Sequence, residues 1–270
     1  AIALMVGVII FVTRTFQTAP MESRWQRSTR NQMLIYGGTA TQIAAAERLE
    51  RERGIKVPVK CFSNQADRST FAFNPMTQSF WENFGRNFAR LHKFTSKSYG
   101  FYEDNYIGST PQLNLSNGKQ SSDWTEFYFN NRLLYQYKLV EKNGYTGEEI
   151  RKAFSELEKK IQNIFLDIKV VPSLLHGDLW SGNFITDETG NACLIDPAVY
   201  YGHNEADLAM TKLFGGFDNR FYSAYSEEFP LEHGYNYREN VYKLYHVLNH
   251  LNLFGSGYYN QAVNLIKFYI

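Results

Sequence analysis

The sequence has few cysteines and almost no net charge. Cys61 and Cys193 are the only cysteines among 270 residues, and they form neither a zinc-binding spacing nor a disulfide framework, which suits a reducing compartment. The 28 Lys and Arg residues nearly balance the 27 Asp and Glu residues, so the chain lacks the basic excess of a nucleic-acid-binding protein. Internal repeats and low-complexity segments are also absent. We therefore expect a globular, cytoplasmic protein with no nucleic-acid partner.

Long hydrophobic runs are missing as well. Residues 1–12 are almost wholly apolar, but a helix of that length spans about 18 Å, less than a bilayer core of about 30 Å. Two interpretations stay open: a pair of buried strands, or the remnant of a membrane anchor. Residues 14–30 are basic, with Glu22 the only acid, and form either a loop or a transit-like segment. Membrane association is thus expected only if the apolar N-terminus is an anchor remnant.

The most informative stretch begins with two leucines and continues as His176-Gly-Asp178, with Asn183 five positions after Asp178. This H-x-D-x-x-x-x-N spacing is that of a kinase catalytic loop. In such a loop the Asp accepts the proton of the attacking hydroxyl, and the Asn holds a magnesium ion on the triphosphate. The spacing therefore predicts phosphoryl transfer.

A short β-hairpin is predicted directly after this loop. Phe184 and Ile185 form its first strand, and residues 192–195 form its second. The hairpin delivers Asp196 beside Asn183, where the Asp of a D-F-G motif would bind the same metal. Mg²⁺ prefers oxygen ligands and takes only one or two from protein. A lone aspartate at a strand end is more often a turn residue or helix cap, but three residues at this spacing favour a magnesium site.

The residues around these motifs resemble the fructosamine kinase (ketosamine 3-kinase) family, which belongs with the aminoglycoside and choline phosphotransferases. The resemblance covers the chain from about Trp81 to the C-terminus. In that family the loop that carries NYIG packs near the sugar side of the cleft. The matching segments are 105–112 (NYIGSTPQ), 176–183 (HGDLWSGN), 196–203 (DPAVYYGH), 205–210 (EADLAM) and 248–252 (LNHLN).

The resemblance implies an α+β, two-lobed protein-kinase-like fold. Residues 1–78 would form a small, atypical or incomplete β-rich N-lobe, and residues 79–270 a large helical C-lobe that carries the catalytic β-hairpin. The N-terminal part departs from the family pattern, because no strand lysine follows the possible glycine turn at Gly37. Lys56, Lys60 and Glu47 are weak substitutes for the ATP-binding lysine and its glutamate partner, and solvated surface charges are the simpler interpretation.

Helix signals are clearer in the C-terminal part. Ser79 and Glu82 form a capping-box pattern, and Asp123 and Thr146 are predicted to cap two further helices. A last helix is expected over residues 242–254. The helix after Thr146 has an apolar stripe that predicts core positions: Ile150, Phe154, Leu157, Ile161, Ile164 and Ile168.

By resemblance, the chain would transfer the γ-phosphoryl group of ATP to the 3-hydroxyl of a fructosamine or ribulosamine, either a small molecule or one attached to a protein lysine. The implied roles are a catalytic base at Asp178, a loop brace at His176, Mg²⁺ and ATP ligands at Asn183 and Asp196, a sugar-stacking wall at Trp180, and a buried acceptor of loop N–H groups at Asp207.

Two other functions stay open. The substrate could be another amino-alcohol, such as an aminoglycoside or choline. The chain could also be a pseudokinase or binding module with a degenerate nucleotide site; the missing strand lysine favours this, whereas Asp178, Asn183 and Asp196 count against it. The preferred ketosamine and the oligomeric state do not follow from the sequence.

Overall fold

A computed structural model of the chain describes residues 7–8, 76–186 and 190–270. The described residues fall into two compact units. The hairpin unit comprises the described residues up to Phe94, Asp178–Pro197 and Gly216–Pro230, and the helical unit comprises Thr95–Gly177, Ala198–Gly215 and Leu231–Ile270. The possible glycine turn at Gly37 and the charges at Glu47, Lys56 and Lys60 lie outside the described residues. The lobe boundary after residue 78 therefore stays a prediction.

The described elements are mostly helices, with short strands. A π-helical turn, Phe129–Leu134, joins the third and fourth α-helices, and a 3-10 turn, Ser256–Tyr258, precedes the last. The strands are β1 (Gly7–Val8), β2 (Asn105–Ile107), β3 (Thr110–Gln112), β4 (Ser173–Leu175), β5 (Phe184–Thr186), β6 (Ala192–Leu194) and β7 (Tyr200–Gly202). The helices are α1 (Gln78–His92), α2 (Lys119–Ser122), α3 (Trp124–Tyr128), α4 (Tyr135–Lys142), α5 (Glu148–Ile164), α6 (Asn204–Thr211), α7 (Asn219–Glu228), α8 (Tyr235–Phe254) and α9 (Tyr259–Lys267).

In the hairpin unit, α1 packs closely against α7. Phe84 of α1 meets Phe221 of α7 with ring centroids 5.0 Å apart, and Phe184 of β5 with centroids 5.1 Å apart. A Cβ on Gly85 would lie 2.2 Å from the Phe221 carbonyl oxygen, so a glycine is needed at this contact. The aromatic cluster therefore connects both helices to the first strand of the catalytic hairpin.

The predicted hairpin is confirmed. Strand β5 pairs antiparallel with β6, with Phe184 opposite Leu194, and β1 pairs parallel with β6. Residues 187–189 of the turn lie outside the described residues. Throughout the ranges that the structure describes, no helix is both long enough and apolar enough to cross a membrane.

The helical unit buries most of its apolar side chains among α3–α6, α8 and α9. The α5 stripe is buried as predicted from Ile150 to Ile164, and Ile168 lies half-buried beyond the end of the helix. Strands β4 and β7 pair antiparallel, with Leu174 opposite Tyr201. This pair places the start of the catalytic loop and the return from the hairpin next to each other.

The helix boundaries correct two predicted caps and confirm one. Helix α1 begins two residues earlier than expected, because Thr77 rather than Ser79 caps it and its Oγ1 accepts from the Phe80 N–H at 3.2 Å. Residue 147, not Thr146, precedes α5. The predicted cap at Asp123 is confirmed, since its Oδ1 accepts from the Glu126 N–H at 3.2 Å.

The last long helix also begins earlier than predicted, at Tyr235 rather than Tyr242. The additional turns carry Arg238, which is 3% exposed and pairs with buried Glu205 of α6 at 2.6 Å. Because Arg238 is charged, it adds no apolar residue to the hydrophobic pattern of α8. That pattern alone therefore does not predict the first turns of the helix.

Unfolding free energy should fall as the pH drops below about 6.5, because of His246. Burial, reinforced by nearby His250, lowers the pKa of this histidine to about 3, so the unfolded chain binds a proton that the folded chain excludes. This stabilisation is complete above pH 6.5 and is lost progressively towards pH 3, at about 2 kcal/mol by pH 5. Urea unfolding at pH 7 and pH 5 measures it, and His246→Phe should flatten the difference. An unchanged pH slope in that variant would contradict the assignment.

Candidate active site

The predicted catalytic loop begins in the helical unit, where Asp207 holds its backbone. Asp207 lies in the first turn of α6 and is 1% exposed. Its Oδ2 accepts from the His176 N–H at 2.7 Å, and its Oδ1 accepts from the Gly177 N–H at 2.8 Å. Both carboxylate oxygens thus satisfy buried loop donors, and hydrogen bonds to a charged acceptor are among the stronger ones.

Gly177 and His176 are both constrained by Ala198, which lies two residues before β7. Gly177 has φ +83°, and a Cβ there would lie 2.0 Å from the Ala198 carbonyl oxygen, so only glycine fits. His176 is 2% exposed, and its carbonyl oxygen accepts from the Ala198 N–H at 2.8 Å. The burial of His176 fits a bracing role better than contact with substrate.

Asp207→Asn should destabilise the protein by about 1–3 kcal/mol, because an amide offers one acceptor oxygen and leaves the second buried N–H facing an NH₂ group. Equilibrium urea unfolding measures the loss. Asp167→Asn is the control, since Asp167 is exposed and its φ of 61° suits asparagine equally well. A loss below about 0.5 kcal/mol, the range of ordinary surface substitutions, would contradict the structural role.

In the hairpin unit, Asn183 is bonded to Asp178. Asn183 Nδ2 donates to the Asp178 carbonyl oxygen at 2.7 Å and to its Oδ2 at 3.3 Å. Because both of these Asp178 atoms are acceptors, the NH₂ group of the Asn183 side chain must face them. Oδ1 of Asn183 therefore points away from Asp178. The orientation of Asn183 therefore follows from its contacts, and it presents an oxygen of the kind that Mg²⁺ prefers.

Asp196 follows the second strand of the hairpin, next to Asn183 in the hydrogen-bond register. The Ile195 N–H donates to the Asn183 carbonyl oxygen at 2.9 Å, and Asp196 is the next residue. Asp196 has φ 50°, in the left-handed region that costs a non-glycine residue roughly 1 kcal/mol. The carboxylate and the amide oxygen fit a cation that takes one or two protein ligands. Within the described ranges, no three His, Cys, Asp or Glu side chains form a separate metal cluster.

Trp180 lies on the turn between Asp178 and Asn183. Its carbonyl oxygen accepts from the Asn183 N–H at 2.9 Å, and the residue as a whole is 36% exposed. A Cβ on Gly182 would lie 2.3 Å from the indole ring, so the glycine lets the ring fold over the turn. An exposed indole face held in this way can stack on an apolar sugar face.

Two site-related residues carried no assigned role in the sequence analysis. Gln112 and Asn105, from the NYIGSTPQ segment, are 1% and 5% exposed and donate to backbone carbonyls that follow Asp196 by two and three residues. Apart from the NYIGSTPQ motif, nothing in the sequence indicated these hydrogen bonds, because partners 86 and 94 positions apart produce no periodic pattern.

The fold is that of the protein-kinase-like phosphotransferases, as predicted. The chain is similar to crystal structures of candidate fructosamine-3-kinases from Thermobifida fusca YX-ER1 and Haemophilus somnus 129PT. The first has a TM-score of 0.67 at 33% identity and covers 72% of this chain and 66% of the other. The second has a TM-score of 0.62 at 28% identity and covers 73% and 65%.

The sequence comparisons identify the family. The model of the family described as fructosamine kinase matches residues 26–270, and the chain belongs to this family. It is 46% identical over 188 residues to the chloroplastic protein-ribulosamine 3-kinase of Arabidopsis thaliana, over 69% of this chain and 56% of that protein. It is 41% identical over 169 residues to the ketosamine-3-kinase of Mus musculus, over 63% of this chain and 53% of that protein. The chain thus spans little more than half the length of these relatives.

Proposed function

We propose that the chain phosphorylates a sugar hydroxyl of ketosamines, with ATP as the phosphoryl donor. The main support is the orientation of Asn183, whose NH₂ group is bound by Asp178 and whose oxygen is turned away on a hairpin that ends at Asp196. Relatives over 40% identical are named ribulosamine or ketosamine 3-kinases, so the expected acceptor is the 3-hydroxyl of a fructosamine or ribulosamine.

In the proposed reaction Asp178 accepts the proton of the acceptor hydroxyl. The hydroxyl oxygen forms a bond to the γ-phosphorus, the bond from that phosphorus to the β–γ bridging oxygen breaks, and ADP leaves. The bonds from Asn183 Nδ2 orient the Asp178 side chain and backbone for this role. Asp207 contributes through the backbone of His176 and Gly177, which directly precede Asp178.

Asn183 and Asp196 would hold Mg²⁺ together with the ATP phosphates. The bound ion would neutralise charge that develops on the transferred phosphoryl group. Trp180 would provide the wall on which the sugar ring stacks. Trp180 is partly exposed and lies on the same turn as Asp178. Both a small ketosamine and a sugar on a protein lysine could therefore reach it.

An acceptor panel tests the proposal. The chain is incubated with Mg-ATP and either fructosyl-lysine, ribulosyl-lysine, an aminoglycoside or choline, and ADP formation is followed, with ³¹P NMR of the product. We expect turnover with the ketosamines and a phosphate on O3. Turnover only with the aminoglycoside or choline would identify a kinase of another amino-alcohol and overturn the ketosamine assignment.

The pseudokinase alternative requires a separate measurement. A ligand that binds only the folded state raises the unfolding midpoint by mass action. We expect Mg-ATP to raise the midpoint of this chain. If Mg-ATP caused no shift of the midpoint and no acceptor were phosphorylated, a binding module with a degenerate nucleotide site would be favoured.

Asp196→Asn should lower kcat by about 10²–10³-fold, because it removes a charged metal ligand while keeping the left-handed backbone that asparagine tolerates. The Mg²⁺ concentration for half-maximal activity should rise in the same variant. Initial rates over a Mg²⁺ titration measure both, with Asp167→Asn again as the control. A normal kcat and normal Mg²⁺ dependence would remove Asp196 from the metal site.

The cellular setting is also part of the proposal. We propose a cytoplasmic location, which the low cysteine content suits. The Arabidopsis and rice relatives are named chloroplastic, so import into isolated chloroplasts is the direct comparison. Import of this chain would contradict the cytoplasmic proposal.

A further inference from the structure

The β2–β3 hairpin carries a buried pair of side-chain amides. Gln112 Nε2 donates to the Asn105 side-chain oxygen at 2.9 Å and to the Ala198 carbonyl oxygen at 2.9 Å. Asn105 Nδ2 donates to the Val199 carbonyl oxygen at 2.8 Å. The Tyr245 hydroxyl donates to Gln112 Oε1 at 2.7 Å, which fixes the orientation of the Gln112 amide. We call Asn105 and Gln112 the amide pair.

The amide pair holds the segment that directly follows Asp196. Pro197 has no N–H group, so Ala198 is the first residue after Asp196 that can donate a backbone hydrogen bond. The Ala198 N–H donates to the His176 carbonyl oxygen at 2.8 Å, and its own carbonyl accepts from Gln112. Three hydrogen bonds therefore fix residues 198 and 199 against the catalytic loop and the amide pair.

Asp196 itself needs such support. Its φ of 50° is unfavourable for a residue with a side chain, and conformations of this kind persist where the surrounding structure enforces them. On the other side of Asp196, the Ile195 N–H is bonded to the Asn183 carbonyl oxygen at 2.9 Å. The backbone is thus hydrogen-bonded on both sides of Asp196. Ile195 is bonded before it, and Ala198 and Val199, which the amide pair contacts, are bonded after Pro197.

Only a primary amide satisfies every partner at position 112. The side chain donates twice and accepts once, which carboxylates and hydroxyls cannot do in this arrangement. A glutamate would face two acceptor oxygens without a proton to share, and a leucine would fill the space but leave the Ala198 carbonyl without this donor. The requirement is therefore chemical as well as steric.

We propose that Gln112 and Asn105 are positioning residues for metal binding: they hold residues 198 and 199 so that the Asp196 carboxylate keeps its place beside Asn183. The inference rests on the proposed function only in assigning Mg²⁺ to Asn183 and Asp196. Neither amide touches substrate or metal in this role, since both act through the backbone that follows Asp196.

The test compares two glutamines of equal burial. Gln112→Leu removes the positioning amide. Gln136→Leu is the matched control, because Gln136 is 0% exposed and its side chain bonds to two asparagines of α8: Nε2 donates to Asn249 Oδ1 at 3.2 Å, and Oε1 accepts from Asn252 Nδ2 at 2.8 Å. For each protein, ATP affinity is measured by calorimetry with Mg²⁺ and with EDTA. The ratio of the two dissociation constants gives the contribution of the metal.

Gln112→Leu should reduce this ratio by roughly tenfold, in the range found for groups that orient metal ligands. Gln136→Leu should leave it within about twofold of the unmodified chain, even where it lowers the unfolding midpoint equally. An equal reduction in both variants, or none in Gln112→Leu, would overturn the inference. So would an unmodified chain whose ATP affinity does not depend on Mg²⁺.

A milder variant covers the case in which Gln112→Leu fails to fold. Tyr245→Phe keeps the ring and removes only the hydroxyl that orients Gln112, and it should reduce the same ratio about two- to threefold. An unchanged ratio would overturn the inference. No ketosamine enters these measurements, so a chain that binds Mg-ATP normally but phosphorylates no ketosamine would disprove the proposed function alone.

Discussion

Asp178→Asn is expected to lower kcat for ketosamine phosphorylation by about 10²–10⁴-fold, the contribution typical of general base catalysis. The amide cannot accept the proton of the acceptor hydroxyl. It can still accept a hydrogen bond from Asn183 Nδ2, and the bond from Asn183 to the backbone carbonyl at 2.7 Å is untouched. The loop should therefore keep its shape, and the affinity for Mg-ATP should change little. ADP release with saturating ketosamine and ATP measures the effect.

The control for this experiment is Asp167→Asn, which makes the same chemical change at an exposed position outside the catalytic loop. It should have the kcat of the unmodified chain. If Asp178→Asn retained full turnover, another group would have to accept the proton. If it lost Mg-ATP binding to the same degree as activity, Asp178 would belong to the nucleotide site instead.

Arg238→Met is expected to lower the free energy of unfolding by about 3–5 kcal/mol, because it leaves the Glu205 carboxylate buried without its partner. Arg238 Nε donates to Glu205 Oε2 at 2.8 Å, and its Nη2 donates to Oε1 at 2.6 Å. Burial raises the pKa of Glu205, and the guanidinium opposes that shift. Glu205 lies two residues before Asp207 on α6, so this pair also anchors the helix that holds the catalytic loop.

Equilibrium unfolding of Arg238→Met should be compared with two further variants. Arg220→Met breaks an exposed pair with Asp218 and should cost at most about 1 kcal/mol. The double variant Glu205→Met with Arg238→Met replaces both charges by apolar side chains and should recover most of the loss. A double variant as unstable as Arg238→Met alone would show that the packing of Arg238 and its hydrogen bonds to the carbonyls of Glu232 and His233, rather than its charge pair with Glu205, stabilise this region.

The features that sequence reasoning predicted well have local signals. The spacing from His176 to Asn183 and the strand pattern on either side of the turn predicted the loop and the hairpin. The apolar stripe of α5 predicted its buried face, because 3.6-residue periodicity is a property of a single helix. The resemblance of five short segments to one family then predicted the protein-kinase-like fold, which the comparisons support.

The features that the sequence did not reveal depend on partners far along the chain. Arg238 pairs with Glu205 across 33 positions, and Gln112 bonds to the Ala198 carbonyl across 86. Polar side chains like these look like surface residues in a hydrophobicity pattern, although both are buried. The cap of α1 was missed although its signal is local: the sequence offers hydroxyl residues at both Thr77 and Ser79, and Thr77 accepts from the Phe80 N–H. The ATP-binding lysine stays unassigned, because its candidates lie outside the described residues.

The most direct test of this account is a crystal structure of the protein with Mn²⁺ and a non-hydrolysable ATP analogue, in which anomalous scattering locates the metal. We predict one metal ion on the analogue phosphates within about 2.0–2.5 Å of both Asn183 Oδ1 and an Asp196 carboxylate oxygen, with Asp178 facing the γ-phosphate. A metal held by other residues, or these two oxygens too far apart to share one ion, would contradict the account.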